Sequence, residues 1–166
     1  MKHSLFVAAL PLGPAHPQAP RSFEEFTRRT APQAEALYIL GDLFEYWAGD
    51  DDLADPYHAT VANTLAELSR SGTAVFIMHG NRDFLLADSF ARATHACLIP
   101  DPALIDLYGT PTLLTHGDTL CTGDTTYLDF RAEVRQAAWQ TEFLARPLAE
   151  RKAEIEALRR NSENDK

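Results

Sequence analysis

Three apolar runs set the rhythm of the chain, and each stops abruptly in small and polar residues. Leu37-Tyr38-Ile39-Leu40 precedes Gly41-Asp42, Ala74-Val75-Phe76-Ile77-Met78 precedes His79-Gly80-Asn81-Arg82-Asp83, and Thr112-Leu113-Leu114-Thr115 precedes His116-Gly117-Asp118. Unbroken apolar runs of about four to eight residues predict strands covered on both faces, as in a helix-flanked sheet. Between the first two runs the period lengthens: Val61, Leu65 and Leu68 share one face of a helix over His58 to Ser71, which Gly72 stops. Ser4 to Ala9 reads as an opening strand, after which Pro11, Gly13, Pro14, Pro17 and Pro20 exclude regular structure. Ser22, with Glu25 three positions on, predicts a capping box opening a helix that buries Phe23 and Phe26 and ends at Pro32. Phe84 to Ala93 reads as a further helix with Leu85, Leu86 and Phe90 inward, and residues 103–108 and 112–115 as a hairpin around Gly109-Thr110-Pro111. Beyond Asp124 the pattern is helical over Thr126 to Ala138, then Gln140 to Arg160 with a break or kink at Pro147. Strands alternating with helices predict an α/β fold with a mostly parallel sheet.

Composition narrows the function classes. With 166 residues and 45% hydrophobic positions, the chain can bury a real core. A net charge of -9 excludes nucleic acid as the expected partner, because phosphate backbones are held by excess Lys and Arg. The charge is uneven: residues 1–123 carry 7 basic and 15 acidic side chains, and residues 124–166 carry 8 and 9. That enrichment points to an anionic ligand near the last quarter. Cys97 and Cys121 are too few for a disulfide framework, which suits a reduced, cytoplasmic chain. No apolar run approaches the ~20 residues of a membrane span. Leu5 to Leu12 after Met1-Lys2-His3 has the length of a short signal peptide, and a first core strand explains the same residues. The run Asp50-Asp51-Asp52 lacks the spacing of a calcium loop and reads as solvated surface.

The strand ends carry the candidate chemistry. Gly-Asp after one strand is ordinarily a turn, and a lone His such as His116 is ordinarily a hydrogen-bonded core residue. Three strands ending in Gly-Asp, Gly-Asn-Arg-Asp and His-Gly-Asp, in that order, form a more specific signal. Carboxylate, amide and imidazole donors brought together without a thiolate suit a catalytic divalent metal. In a two-metal hydrolase one carboxylate bridges the ions, here Asp42, and neutral Asn and His donors complete the shell without cancelling its positive charge.

In detail, residues 37–45, 76–86 and 116–122 resemble the calcineurin-like metallophosphoesterases, and within them the pyrophosphate hydrolases of lipid A biosynthesis. The resemblance runs from Ser4 to Ser162. It implies a metallophosphoesterase-like β-sheet sandwich flanked by helices, with the core over residues 1–124 and a helical cap segment over 125–166, incomplete at the C-terminus. It implies metal-dependent hydrolysis of a UDP-linked acylated glucosamine, UDP-2,3-diacylglucosamine, to UMP and 2,3-diacylglucosamine 1-phosphate. By the same resemblance Asp42, Asn81 and His116 are the catalytic metal ligands, Asp42 bridging and the other two on the second ion, with Mn²⁺ as the expected metal. Asn81, Arg82, Asp124 and Ser162 are then the substrate-binding residues, and Trp139, Phe143, Leu144 and Leu148 line a space for acyl chains. A location on the cytoplasmic face of the inner membrane, in peripheral contact with it, follows from such a substrate.

Arg82 marks the subgroup, since most of the superfamily has His there. A pyrophosphate leaves as a phosphate monoester with a second pKa of ~6, so it needs little help from a general acid, and a guanidinium that forks onto phosphoryl oxygens is the more useful group. On the residues alone, Arg82 also reads as an ion-pair partner of Asp83 or another surface acid. The stripe over Trp139 to Arg160 likewise suits core packing or a membrane surface.

Two family motifs are missing. Where the first strand ends in Asp-x-His, this chain reads Val7-Ala8-Ala9-Leu10-Pro11-Leu12, with Ala9 for the Asp and Pro11 for the His. The closing Gly-His-Thr-His does not occur before Lys166. Of the ligands implied by the resemblance, Asp42, Asn81 and His116 remain, so at most one ion is expected and turnover is expected to be impaired or lost. A non-catalytic protein that keeps a nucleotide-lipid pocket is the alternative. Another metallophosphoesterase, such as a nucleotide phosphodiesterase, fits Arg82 and the cap segment poorly.

Overall fold

The computed structural model of the chain describes residues 2–13 and 18–164, with side chains described as far as residue 160. It divides into two compact units, Met1–Asp118 and Thr119–Lys166.

The first unit is an α/β sandwich. Strands β1 (Ser4–Val7), β2 (Ala36–Leu40), β3 (Ala74–Met78) and β4 (Cys97–Ile99) form a parallel sheet in that order. Val7 lies beside Ile39, and Leu40 beside Met78, which in turn lies beside Ile99. Because side chains alternate across a strand, Leu37, Ile39, Val75 and Ile77 fall on one face, and all four are buried. The connections carry α1 (Ala19–Arg29), α2 (Pro56–Arg70) and α3 (Asp88–Thr94), with α2 packed between α1 and α3 and against β3. The opposite face carries Tyr38, Leu40, Met78 and Ile99, which pack against Ala103, Ile105 and Leu114 of a second, two-stranded sheet. That hairpin, β5 (Ala103–Leu107) and β6 (Thr110–Leu114), turns on Tyr108 and Gly109, both at positive φ as a two-residue loop of the primed type requires. Next to it Phe6, Tyr38 and Phe76 stack across β1, β2 and β3 at 5.0 and 4.7 Å.

The α/β class agrees with the sequence pattern, and several element ends differ. Ser22 is not a cap: α1 already runs from Ala19, with Pro20 in its first turn, where a missing N–H costs nothing. Pro56 and the Asp55 side chain, which accepts from the Tyr57 N–H at 2.8 Å, start α2 two residues before His58. Helix α3 begins at Asp88 rather than Phe84, although Leu85, Leu86 and Phe90 are buried as expected. Of the Asp50–Asp52 run only Asp51 is the exposed surface residue the sequence predicts. Asp50 accepts from the Ala87 and Phe90 N–H groups at the start of α3 and from the Trp47 indole, and Asp52 is buried against His58.

The second unit holds three helices, α4 (Thr125–Val134), α5 (Ala137–Leu144) and α6 (Leu148–Asn164), with Pro147 separating the last two. Trp139 stacks on Phe143 at 4.7 Å, and the Arg146 guanidinium lies over the Phe143 ring. Arg151 is buried, its Nε donating to the Arg146 carbonyl. Among the described residues no helix is long and apolar enough to cross a membrane.

Candidate metal centre

The three strand ends predicted to carry chemistry meet at one edge of the first unit. Gly41 and Asp42 leave β2 with φ of 91° and 54°, a left-handed pair that turns the Asp42 side chain back toward the end of β3. The approach is too close for any other side chain: a Cβ on Gly41 would lie 2.5 Å from the His116 ring, and one on Gly80 2.1 Å from an Asp42 carboxylate oxygen.

Asp42 is 7% exposed, and its carboxylate has two environments. Oδ1 accepts the Arg82 backbone N–H at 3.0 Å, while Oδ2 faces Arg82 Nε at 3.8 Å and His116 Nε2 at 3.9 Å. His116 reaches back across the sheets so that Nδ1 lies 2.8 Å from the Leu40 carbonyl. A carbonyl only accepts, so Nδ1 carries a proton, and when the ring is neutral Nε2 is the nitrogen with the lone pair. Nε2 lies 3.1 Å from Asn81 Oδ1, a hydrogen bond when that nitrogen is protonated and a pair of facing acceptors when it is not. Two acceptors this close are favourable only with a proton or a cation between them. Two ligands about 2.1 Å from one ion, at right angles, stand roughly 3 Å apart.

The carboxylate, amide oxygen and imidazole therefore fit one divalent ion. They do not fit two. The segment after β1 does run beside Asp42, with Ala9 N–H donating to Gly41 O and Leu10 N–H to Asp42 O, and Ala9 adopts φ 51°. Ala9 and Pro11 offer no donor side chain there. Among the described residues no group of three or more His, Cys, Asp or Glu side chains could hold a metal, so the set depends on the Asn81 amide.

Arg82 lies nearest Asp42 and is not the partner of Asp83. Asp83 is fully buried and bonds to main chain: Oδ1 accepts from Gly80 and Asp42 N–H at 2.8 and 3.2 Å, and Oδ2 from Leu43 N–H at 2.7 Å. Burial pushes its pKa up to about 6; the Gly80 N–H opposes the shift, the nearby Asp42 carboxylate adds to it, and the Leu43 and Asp42 N–H groups oppose it. Sequence reasoning missed this role, although Asp83 ends the same Gly-Asn-Arg-Asp motif.

Asp124 belongs to the second unit, where its carboxylate caps α4 by accepting the Tyr127 N–H at 3.0 Å. The Ser162 side chain lies outside the described residues. Phe143 is buried in its unit, Trp139 and Leu148 are half-buried, and Leu144 is exposed.

No family model matches the chain. Curated relatives do. The chain is 49% identical over 161 residues to the UDP-2,3-diacylglucosamine hydrolase of Cellvibrio japonicus, covering 97% of this chain and 67% of that protein. It is 52% identical over 163 residues to the protein of the same name from Aromatoleum aromaticum, covering 98% and 66%. With that of Stenotrophomonas maltophilia it shares 49% over 160 residues, covering 96% and 64%. The chain thus spans about two thirds of the length of these relatives.

Proposed function

Since the chain belongs to the UDP-2,3-diacylglucosamine hydrolase family, we propose that its strand-end site recognises the pyrophosphate of a UDP-linked diacylglucosamine around one divalent ion, and turns it over at or near background. The 3.1 Å approach of His116 Nε2 to Asn81 Oδ1 beside the Asp42 carboxylate carries this reading. Asp42, Asn81 and His116 would hold the ion, with Mn²⁺ as the expected metal. Such an ion, when bound, polarises a phosphoryl oxygen and acidifies a bound water.

The chain's own residues do the rest. The Leu40 carbonyl fixes the His116 tautomer, so Nε2 is presented without a proton. The Arg82 side chain is 39% exposed, and its Nε shares the direction of Asp42 Oδ2. It can swing from that carboxylate onto phosphoryl oxygens, which a guanidinium grips with two parallel bonds. Any residual turnover would give UMP and a diacylglucosamine 1-phosphate, and the low second pKa of a phosphate monoester would let the leaving group depart without a proton donor from the chain. Asp124 and Ser162 contribute to substrate binding, and the aromatic stripe of α5 takes acyl chains at the surface of the inner membrane.

Turnover is at background because Ala9 and Pro11 supply no ligands for a second ion, and electrostatic stabilisation of this kind is usually the largest part of catalysis. UMP release from UDP-2,3-diacylglucosamine with Mn²⁺ present should stay at the rate of the buffer blank. Direct binding of the intact substrate should persist and weaken with Arg82→Ala. Metal-dependent turnover that Asp42→Ala abolishes would show that the partial site suffices for catalysis.

A further inference from the structure

Asp83 is fully buried, yet it joins two of the three strand-end segments that shape the site. Its two oxygens collect N–H groups from Gly80 on one turn and from Asp42 and Leu43 on the other. A fully buried carboxylate is an expensive way to satisfy a few amides, because desolvation of the charge costs more than neutral partners would. What it provides is geometry. With both turns tied to one rigid fork, Gly80 is held so close to Asp42 that no Cβ fits, and Arg82 N–H is delivered to Asp42 Oδ1. That bond leaves Oδ2 facing His116 and Arg82.

We propose that Asp83 is a positioning residue: by clamping the two glycine turns together it fixes the Asp42 carboxylate in the orientation that completes the site with Asn81 and His116. The ligand side of this inference rests on the proposed function; the orientation of Asp42 does not.

The test is Asp83→Asn, which keeps size but can accept at only one of its two positions, so one turn is released. The His116 ring nitrogens and the Asn81 side-chain amide are followed by NMR without metal, and Mn²⁺ affinity by titration. Expected are displaced His116 and Asn81 signals, a Trp139 indole signal that stays in place, and Mn²⁺ affinity reduced roughly ten- to a hundredfold, as for other groups that orient a ligand. Lower stability with His116 and Asn81 signals at their wild-type positions would overturn the proposal. If wild type binds no Mn²⁺, the metal reading fails, and the His116 and Asn81 signals alone decide the role of Asp83. Should Asp83→Asn not fold, Asp83→Glu carries the same measurements. Failure of both to fold would make Asp83 a folding residue and overturn the proposal.

Discussion

A carboxylate sealed from water at the junction of two turns should make the stability of this protein depend on pH in an unusual direction. Asp83 has a folded pKa of about 6 against 3.8 for a freely solvated aspartate, chiefly because burial disfavours its charge. Between these values the folded chain holds a proton that the unfolded chain has lost, so raising the pH favours unfolding. The contribution is fully present below about pH 4 and is lost as pH rises through about 6, a change on the order of 3 kcal/mol. Denaturant melts of wild type and Asp83→Asn isolate it from the other acids. The advantage of wild type over the variant should shrink by that amount between about pH 4 and 7. An advantage that stays constant or grows with pH would contradict the assignment.

At the level of elements, Asp50 does more than its place in an acidic loop suggests. Its carboxylate accepts from the Ala87 and Phe90 N–H groups and from the Trp47 indole, so one side chain caps α3 from outside and pins the aromatic cluster beneath it. Asp50→Ala should cost about 2 kcal/mol, the upper range for a lost cap, measured by chemical denaturation. A change within a few tenths would show that water replaces the cap freely. Asp50 also illustrates what the sequence could and could not reveal. The β2 and β3 runs, the α2 face and the strand-end donors Asp42, Asn81 and His116 were legible because periodicity and motif are local signals. Asp50 and Asp83 were not, because the partners that tie each to a second segment lie 37 or more residues away and nothing local marks that pairing. Strand β4 escaped as well, being only Cys97–Ile99 and carrying no alternation long enough to read. Helix α1 starts before Ser22 because Pro20, a breaker inside a helix, is accepted in a helix's first turn.

For the molecule as a whole, the first unit assembles its site from three strand ends and leaves apolar surface outward on the hairpin. Leu104 and Leu113 are cross-strand partners, 73% and 65% exposed on the face turned away from the parallel sheet. An exposed aliphatic pair on a two-stranded ribbon favours association between copies. Sedimentation of the Leu104→Thr, Leu113→Thr chain should show less self-association than wild type, with little change in melting temperature. Equal association of the two would place the adhesive surface elsewhere. At the strand ends, the proposed ligands Asp42, Asn81 and His116 suffice for one ion, and Ala9 and Pro11 offer no side-chain donor for a second. Calorimetric titration of the purified chain with Mn²⁺ tests this most directly. A single weak site that His116→Ala weakens further is the predicted result; two tight ions, or one whose affinity ignores His116→Ala, would contradict it.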